Sequence, residues 1–352
     1  MVYLDYAATT PLLPEVMGAM HEAEQEFFAN ASALHTPGHL ALMRIEECRE
    51  MLAEMVGCDS EEIIFTSGAT EANNTVMHIF EGCEIECSPY EHHSVVEAAK
   101  VHRGTGAPKL YSWMLANNEL GDYLELSVTR KGEYLHSDLT QALSKVPVNV
   151  RELGLDYATF SAHKIGGPVG VGALYVRKGA PFKPFMVGGG QEHKRRGGTY
   201  NTVGIIGFLA ALKYAREHKT WEVYDNVIRG LRDRLAERIL AEVPGSSINT
   251  DLKKALPNIL NASFRAAEGE SIQLYLDAEG IVVSTGSACA AGDIKPSAPL
   301  MAKFNDAEVA HSSIRFSFGL DNTIDDVEAV MKVLPGIVRR LQQISTVRMK
   351  SK

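Results

Sequence analysis

Between Pro14 and Ala215 the sequence alternates two periodicities, and that alternation restricts the chain to few architectures. Residues 14–28 and 39–56 carry apolar side chains at helical spacing (Val16, Met20 and Phe27; Leu40, Met43, Met51 and Met55), and the second stretch stops at Gly57. Short β-like runs stand at 63–66, 134–136, 157–161 and 171–176, with a helix-like stretch from Thr70 and a buried-helix pattern over 203–212. Strands separated by helices imply a mainly parallel sheet with helices on both faces, whose ligands bind at the carboxyl ends of the strands. Beyond residue 215 two long helical patterns, about 221–242 and 323–344, flank short strands at 258–264, 281–284 and 313–318. The expected fold is α/β. A large domain over 14–215 is followed by a smaller α+β domain over 216–352, which also takes up segment 1–13.

Composition narrows the function classes. At 45% hydrophobic and 22% charged residues the chain has the make-up of a globular protein with a sizeable core. A net charge of −9 offers no global basic field to nucleic acid; of the local exceptions, RMKSK at the end reads as a frayed tail and HKRR (193–196) as a solvated loop or, beside Thr199, as a help in neutralising a phosphate. The first residues, MVYLDYAATTPLLPEV, contain no apolar signal-peptide core, and the longest uncharged apolar run (203–212) is too short to span a bilayer. Five cysteines form no disulfide framework. The expectation is a soluble, cytoplasmic protein without direct nucleic-acid or membrane partners.

Four short segments carry chemically pointed residues. In FTSGATEANN (65–74), Gly68 frees the backbone and Thr70 lies at a helix start, where orphan N–H groups bind a phosphate or simply form an ordinary cap. In HSDLTQA (136–142), Asp138 stands where a strand hands over to a helix, either as an N-cap or as the partner of a protonated heteroaromatic nitrogen. In FSAHKIGGPVGVG (160–172), Lys164 follows a buried strand amid glycines, a setting that suits a Schiff-base lysine, although most lysines are solvated. The interval from Asp138 to Lys164 accommodates one crossover helix and one strand, which would bring the two close in space. Pyridoxal phosphate asks for this set of lysine, acid and helix N-terminus. Finally, STGSACAAG (284–292) surrounds Cys289 with small residues, which suits a reactive thiol better than core packing. Cys48 reads as a small core hydrophobe, and Cys58 follows a helix end without an obvious partner. Cys83, Cys87, His92 and His93 match no standard zinc spacing, so no metal is expected.

The chain resembles a cysteine desulfurase of the nitrogen-fixation/iron–sulfur-cluster branch, within the fold-type I pyridoxal-phosphate (class-V aminotransferase) family. The matching segments are YLDYAATTP (3–11), FTSGATEANN (65–74), EHHSV (91–95), NNELG (117–121), SDLTQ (137–141), SAHKIGGPVGVGALYVRKG (161–179), GGGQE (188–192), RRGGTYN (195–201), PNILNASF (257–264), STGSACAAG (284–292) and AHSSIRFSFG (310–319). The resemblance implies that pyridoxal 5'-phosphate is held by Lys164 through its aldehyde, with Lys164 also shuttling the Cα proton. It implies that His92 stacks on the ring and aids proton transfer, that Asp138 pairs with the ring nitrogen, and that Gln141 and Asn118 bond the O3′ side. Ala69, Thr70, Ser161 and His163 would hold the phosphate. Thr199 would reach the phosphate of the other subunit, implying a homodimer. Arg315 would clamp the substrate carboxylate, and Asn30 would line the substrate pocket. The implied reaction turns L-cysteine into L-alanine, with Cys289 taking the sulfur as a persulfide for a sulfur-acceptor protein: an iron–sulfur scaffold or a tRNA-thiolation enzyme.

The departures are local. Ala29, Asn30, Ala31 and Ser32 replace the family's Gly-Asn-Pro-Ser; Leu139 follows Asp138 where a small residue is usual; Leu320 replaces an arginine. The segments from His93 to Asn118 and from Asn118 to Asp138 are shorter than in the family. Two other readings stand beside the desulfurase. One is a selenocysteine lyase or other fold-type I pyridoxal-phosphate enzyme, and an aminotransferase of that kind would not need Cys289. The other is a non-catalytic sulfur-relay scaffold, which has no need for Lys164, Asp138, His92 and Cys289 together.

Overall fold

After a two-residue strand, β1 (Val2–Tyr3), the chain enters helices α1 (Pro14–Glu26) and α2 (Thr36–Val56). The structure, a computed structural model, describes residues 1–126, 132–285 and 296–345. Helix α2 starts three residues before its apolar pattern, because the His35 ring accepts the Gly38 N–H at 3.1 Å and Pro37 suits the first turn. It ends at Gly57, whose φ of 76° forms the left-handed cap that the sequence signals.

The described residues fall into two units, of which the larger comprises 10–115 and 124–220. Its elements continue with β2 (Ile63–Thr66), α3 (Ala69–Ile79), β3 (Cys83–Cys87), α4 (His93–His102), β4 (Gly106–Ser112), β5 (Glu133–Asp138), β6 (Tyr157–Ser161), β7 (Gly172–Val176) and α5 (Thr202–Glu217). The sheet order is β2-β7-β6-β5-β4-β3. Strands β3 to β6 pair in parallel, whereas β7 runs antiparallel to both β6 and β2. The side chains alternate across this sheet. Ile63, Phe65, Ala158, Phe160, Ala173 and Tyr175 join the core with α2 and α5, while Ile64, Tyr157, Leu174 and Val176 join the core with α3 and α4. Both faces are thereby buried, each large apolar side chain contributing about 1.5–3 kcal/mol.

Strands β3 and β4 and helix α4 are absent from the sequence reading. The crossover between β5 and β6 also differs from it: residues 140–146 form turns, so Asp138 ends a strand without opening a helix. Even so, β5 and β6 are parallel neighbours, with Asp138 in register with Thr159.

The C-terminal unit gathers residues 1–9, 116–123 and those from 221 on. Strands β8 (Ser246–Ile248), β9 (Ile259–Phe264) and β11 (Ser313–Ser317) form an antiparallel sheet in the order β11-β9-β8. Separately, β1 pairs in parallel with β10 (Ile281–Val282). Helices Arg229–Glu242, Gly269–Ala278 and Ile324–Ile344 contribute to a core of Leu260, Phe264, Ile314, Phe316, Val327 and Leu334. Segment 116–123, which the sequence reading leaves in the large domain, joins this unit through an Asp122–Ala255 bridge and a bond from Thr250 Oγ1 to the Leu120 carbonyl (2.7 Å). Among the described residues no helix is long and apolar enough to cross a membrane.

Candidate active site

Four segments that follow parallel strands of the larger unit carry the chemistry. Strands β2, β3, β5 and β6 point the same way, so their carboxyl ends share one sheet edge. The 67–70 turn, His92, Asp138 and the 161–164 segment all leave from that edge. This is where the sequence reading expects a ligand.

Asp138 ends β5 and is 5% exposed. Its Oδ1 accepts the Thr140 N–H at 2.9 Å and its Oδ2 accepts Asn73 Nδ2 at 2.9 Å. Both partners are N–H donors, and the carboxyl oxygens keep further lone pairs that a pyridine N–H could use. The Thr140 bond closes a turn rather than capping a helix, which removes the N-cap alternative.

Lys164 ends the short 3₁₀ turn Ala162–Lys164 directly after β6 and is half-buried. The turn is pinned from below: Thr10 N and Thr10 Oγ1 both donate to the His163 carbonyl (3.0 and 2.8 Å), and Gly166 N donates to Thr10 Oγ1 at 2.7 Å. Burial, with the charges of Lys164 and Lys145, lowers His163 to about 4, so its ring is neutral at physiological pH. Ser161 is buried at the end of β6, and Gln141 is buried in the turn after Asp138.

Gly68 precedes α3 with φ 151° and ψ −179°, a conformation essentially reserved for glycine, and no side chain caps the helix. A Cβ on Gly172 would come within 2.7 Å of Gly68 Cα, so two glycines keep this turn bare. Ala69 and Thr70 open the helix beside it. A bare, uncapped helix N-terminus suits a phosphate.

His92 caps α4, its Nδ1 accepting the Ser94 N–H at 3.2 Å. Burial holds its ring below the ordinary histidine range. Next to it, Glu91 is buried; burial and the neighbouring Asp138 charge push its carboxyl up to about 8.

The remaining expected residues lie as follows. Asn30 is exposed, and its Oδ1 accepts Ser32 N at 2.9 Å. Thr199 is exposed; three residues before it, Arg196 closes its fork on Glu71 in the first turn of α3 (2.8 and 3.0 Å). In the HKRR run His193 and Lys194 are exposed, as a solvated loop would have them, whereas Arg196 is held by Glu71 and Arg195 donates to the carbonyls of Glu61 and Ile63. In the C-terminal unit Arg315, 6% exposed, donates to the Asn118 carbonyl (2.9 Å) and to Asp5 Oδ1 (2.7 Å). Its buried Nε has no partner among the described residues. Cys289 lies outside the described residues.

A family model described as Aminotransferase class-V matches residues 2–119 and 105–330. The chain belongs to the class-V aminotransferase family. Within that family it is 40% identical to a protein named cysteine desulfurase IscS from Dictyoglomus turgidum, the alignment covering 98% of this chain and 96% of that one. It is 36% identical to a cysteine desulfurase IscS from Methanosarcina thermophila, covering 98% and 93%. Among solved structures, a NifS-like protein from Rickettsia africae matches with a TM-score of 0.87 at 30% identity, covering 96% of this chain and 99% of that one. The alignment to the Dictyoglomus protein runs over 380 positions against 352 residues here, so that relative carries segments this class-V chain lacks.

The donor set fits pyridoxal phosphate: a buried carboxylate, a lysine on a pinned turn and a bare helix N-terminus on one sheet edge. A metal fits less well. Cys83 and Cys87 lie at opposite ends of β3, about 13 Å apart at strand rise. The one group of three metal-ligand side chains among the described residues, His78, Glu81 and His102, has its Glu81 paired with Lys183 at 2.7 Å.

Sequence reasoning missed Asn73, Ser94, Glu91 and Lys145. The first three sit inside the quoted motifs, but nothing in a string of letters shows that the Asn73 and Ser94 side chains meet or that Glu91 is buried. Lys145 is 1% exposed and donates to the Gln141 carbonyl at 3.3 Å; burial and the Lys164 charge bring it down to about 7.

Proposed function

We propose that this class-V aminotransferase homologue is a cysteine desulfurase that binds pyridoxal 5'-phosphate and converts L-cysteine to L-alanine. The observation that carries the reading is the convergence of Asp138, Lys164, His92 and the uncapped α3 N-terminus on one sheet edge. The desulfurase names of its relatives support the choice of reaction, as does a structural neighbour described as SspA in complex with cysteine, with a TM-score of 0.74 at 26% identity.

Pyridoxal phosphate, when bound, draws electron density from the substrate Cα and so prepares the Cβ–S bond to break. In this reading Lys164 supplies the amine for its aldehyde and moves the Cα proton, while Asp138 keeps the ring nitrogen protonated. His92 stacks on the ring, and Gln141 and Asn118 bond its O3′ side. Ala69, Thr70, Ser161 and His163 take the phosphate, with Thr199 reaching across from a second subunit of a homodimer. Arg315 holds the substrate carboxylate bidentately, as its planar fork favours, and Asn30 lines the pocket.

Cys289 receives the sulfur. Its thiolate forms an S–S bond to the substrate sulfur as the Cβ–S bond breaks; the electron pair stays with the three-carbon fragment, which gains protons and leaves as alanine. Burial keeps Cys48, Cys58 and Cys87 from this task, pushing the Cys58 and Cys87 thiols up to about 12 and the Cys48 thiol higher still. The persulfide then passes to an acceptor protein of iron–sulfur assembly or tRNA thiolation, in the cytoplasm.

The test is an absorption spectrum of the purified protein before and after L-cysteine, with alanine assayed in the same tube, on wild type and Cys289→Ser. The expected result is a cofactor band near the visible edge in both proteins, shifted by cysteine, and alanine from the wild type alone. Undiminished turnover in Cys289→Ser defeats the persulfide step; no band even with added pyridoxal phosphate defeats the enzyme reading.

A further inference from the structure

Two side chains join His92 to Asp138. Asn73 Nδ2 donates both its hydrogens, one to Asp138 Oδ2 (2.9 Å) and one to Ser94 Oγ (2.8 Å). Rotating the amide would set Oδ1 against the Asp138 carboxylate, so its orientation is determined by charge. Ser94 Oγ, having accepted from Asn73, has its own hydrogen left for His92 Nδ1 at 2.8 Å. The backbone N–H of Ser94 points at the same nitrogen, at 3.2 Å. Nδ1 thus faces two donors and is the bare nitrogen of the neutral ring; the hydrogen sits on Nε2.

We propose that Ser94 and Asn73 are positioning residues that lock His92 as its Nε2–H tautomer and tie that ring to the carboxylate of Asp138. This deepens the desulfurase reading and rests on it: proton transfer by His92 takes place at Nε2, and the hydrogen-bonded chain Asp138–Asn73–Ser94–His92 keeps the ring-nitrogen partner and the proton carrier in fixed relation. The asparagine does this without adding a charge, because it donates at both ends. The serine hydroxyl also favours the neutral ring, since its hydrogen can only be accepted by an unprotonated Nδ1.

The charged and titratable groups facing His92 are Asp138 at the end of β5, Lys164 after β6 and His93 on its own helix. None of them changes in a Ser94 variant, so a shift in the ring's titration there reports the hydroxyl.

The experiment is long-range proton–nitrogen NMR on the holoprotein labelled at histidine, with His92→Gln used to assign the ring. In the wild type we expect a bare Nδ1 and a protonated Nε2. In Ser94→Ala we expect mixed tautomers, an acid limb of kcat/KM displaced to higher pH, and kcat down about tenfold with KM nearly unchanged. Ser94→Thr, which keeps the hydroxyl, is expected to restore all three. A wild-type ring protonated at Nδ1 overturns the proposal, and does so even where Ser94→Ala fails to fold. So does a folded Ser94→Ala with the wild-type tautomer and pH limb, or a threonine that restores nothing. Absence of alanine from the wild type would instead sink the desulfurase reading, leaving the tautomer result to stand by itself.

Discussion

Arg49 and Glu192 face each other inside the larger unit, Nη1 to Oε2 at 2.7 Å and Nη2 to Oε1 at 2.9 Å, each residue only 2% exposed. Arg49 also donates to the Ile63 carbonyl at 2.9 Å, and Glu192 accepts the Phe65 N–H at 3.0 Å. The pair therefore clasps α2, β2 and the segment before α5 together. Glu46 also pairs with Arg49 (2.9 and 3.1 Å), so Glu192→Ala leaves the buried guanidinium one carboxylate of two and is expected to lower stability by less than the about 3–5 kcal/mol that a fully stranded charge costs. The double change Arg49→Met with Glu192→Leu is expected to lose much less. Urea titration of the three proteins decides it; equal losses in single and double variants would mean that the pairing is not the source.

Gly68 gives a second prediction. Its φ of 151° with ψ −179° is costly for any side chain, although a Cβ there would meet open space. Strain rather than collision is what Gly68→Ala introduces, about 1–3 kcal/mol. Relief of that strain would rotate the N–H groups at the start of α3, so the variant is expected to bind pyridoxal phosphate more weakly as well as melt earlier. Unchanged cofactor affinity, measured by absorbance titration, would detach the phosphate from this turn.

The third concerns pH. Glu91 titrates at about 8 in the folded chain against an ordinary 4.5, chiefly because it is buried. Between those values the folded state holds a proton that the unfolded state has released, so Glu91 makes stability fall as pH rises from about 4.5 to about 8. Lys145 acts in the opposite sense and over a higher window: burial lowers it from 10.5 to about 7, so stability rises with pH between about 7 and 10.5. Glu91→Gln is expected to flatten the fall below pH 8, and Lys145→Met the rise above pH 7. Melting curves from pH 5 to 10 that keep the wild-type slopes would refute both assignments.

The sheet was legible where its strands are buried on both faces, because β2, β6 and β7 are unbroken apolar or small runs. It was illegible at its edge. In β3, Cys-Glu-Ile-Glu-Cys puts one apolar side chain inside, and the exposed Glu84 and Glu86 share Lys109 of β4 (2.8 and 2.7 Å). Charges protect an edge strand, and they erase the pattern that announces it. β4 begins Gly-Ala-Pro, which reads as a turn. The direction of β7 is a tertiary fact: its residues would suit a parallel strand equally well. Among site residues, Lys164 and Asp138 were legible because a lysine amid glycines and an acid at a strand end invite a chemical question. Asn73 and Ser94 were not, since amides and hydroxyls near helix starts are commonplace and only the fold brings these two side chains within 2.8 Å.

The pairing of β1 with β10 has a consequence for how the protein is made. Leu4 and Ala7 receive their partner Ser317, 313 and 310 residues on, only when nearly the whole chain exists. At about 5–20 residues per second these segments wait roughly a quarter of a minute to a minute after leaving the ribosome before they can be sewn in. Meanwhile the larger unit, bounded by Thr220, can close around its own two cores. Birth order is thus reversed for the opening strand: synthesised first, it is among the last to find its place.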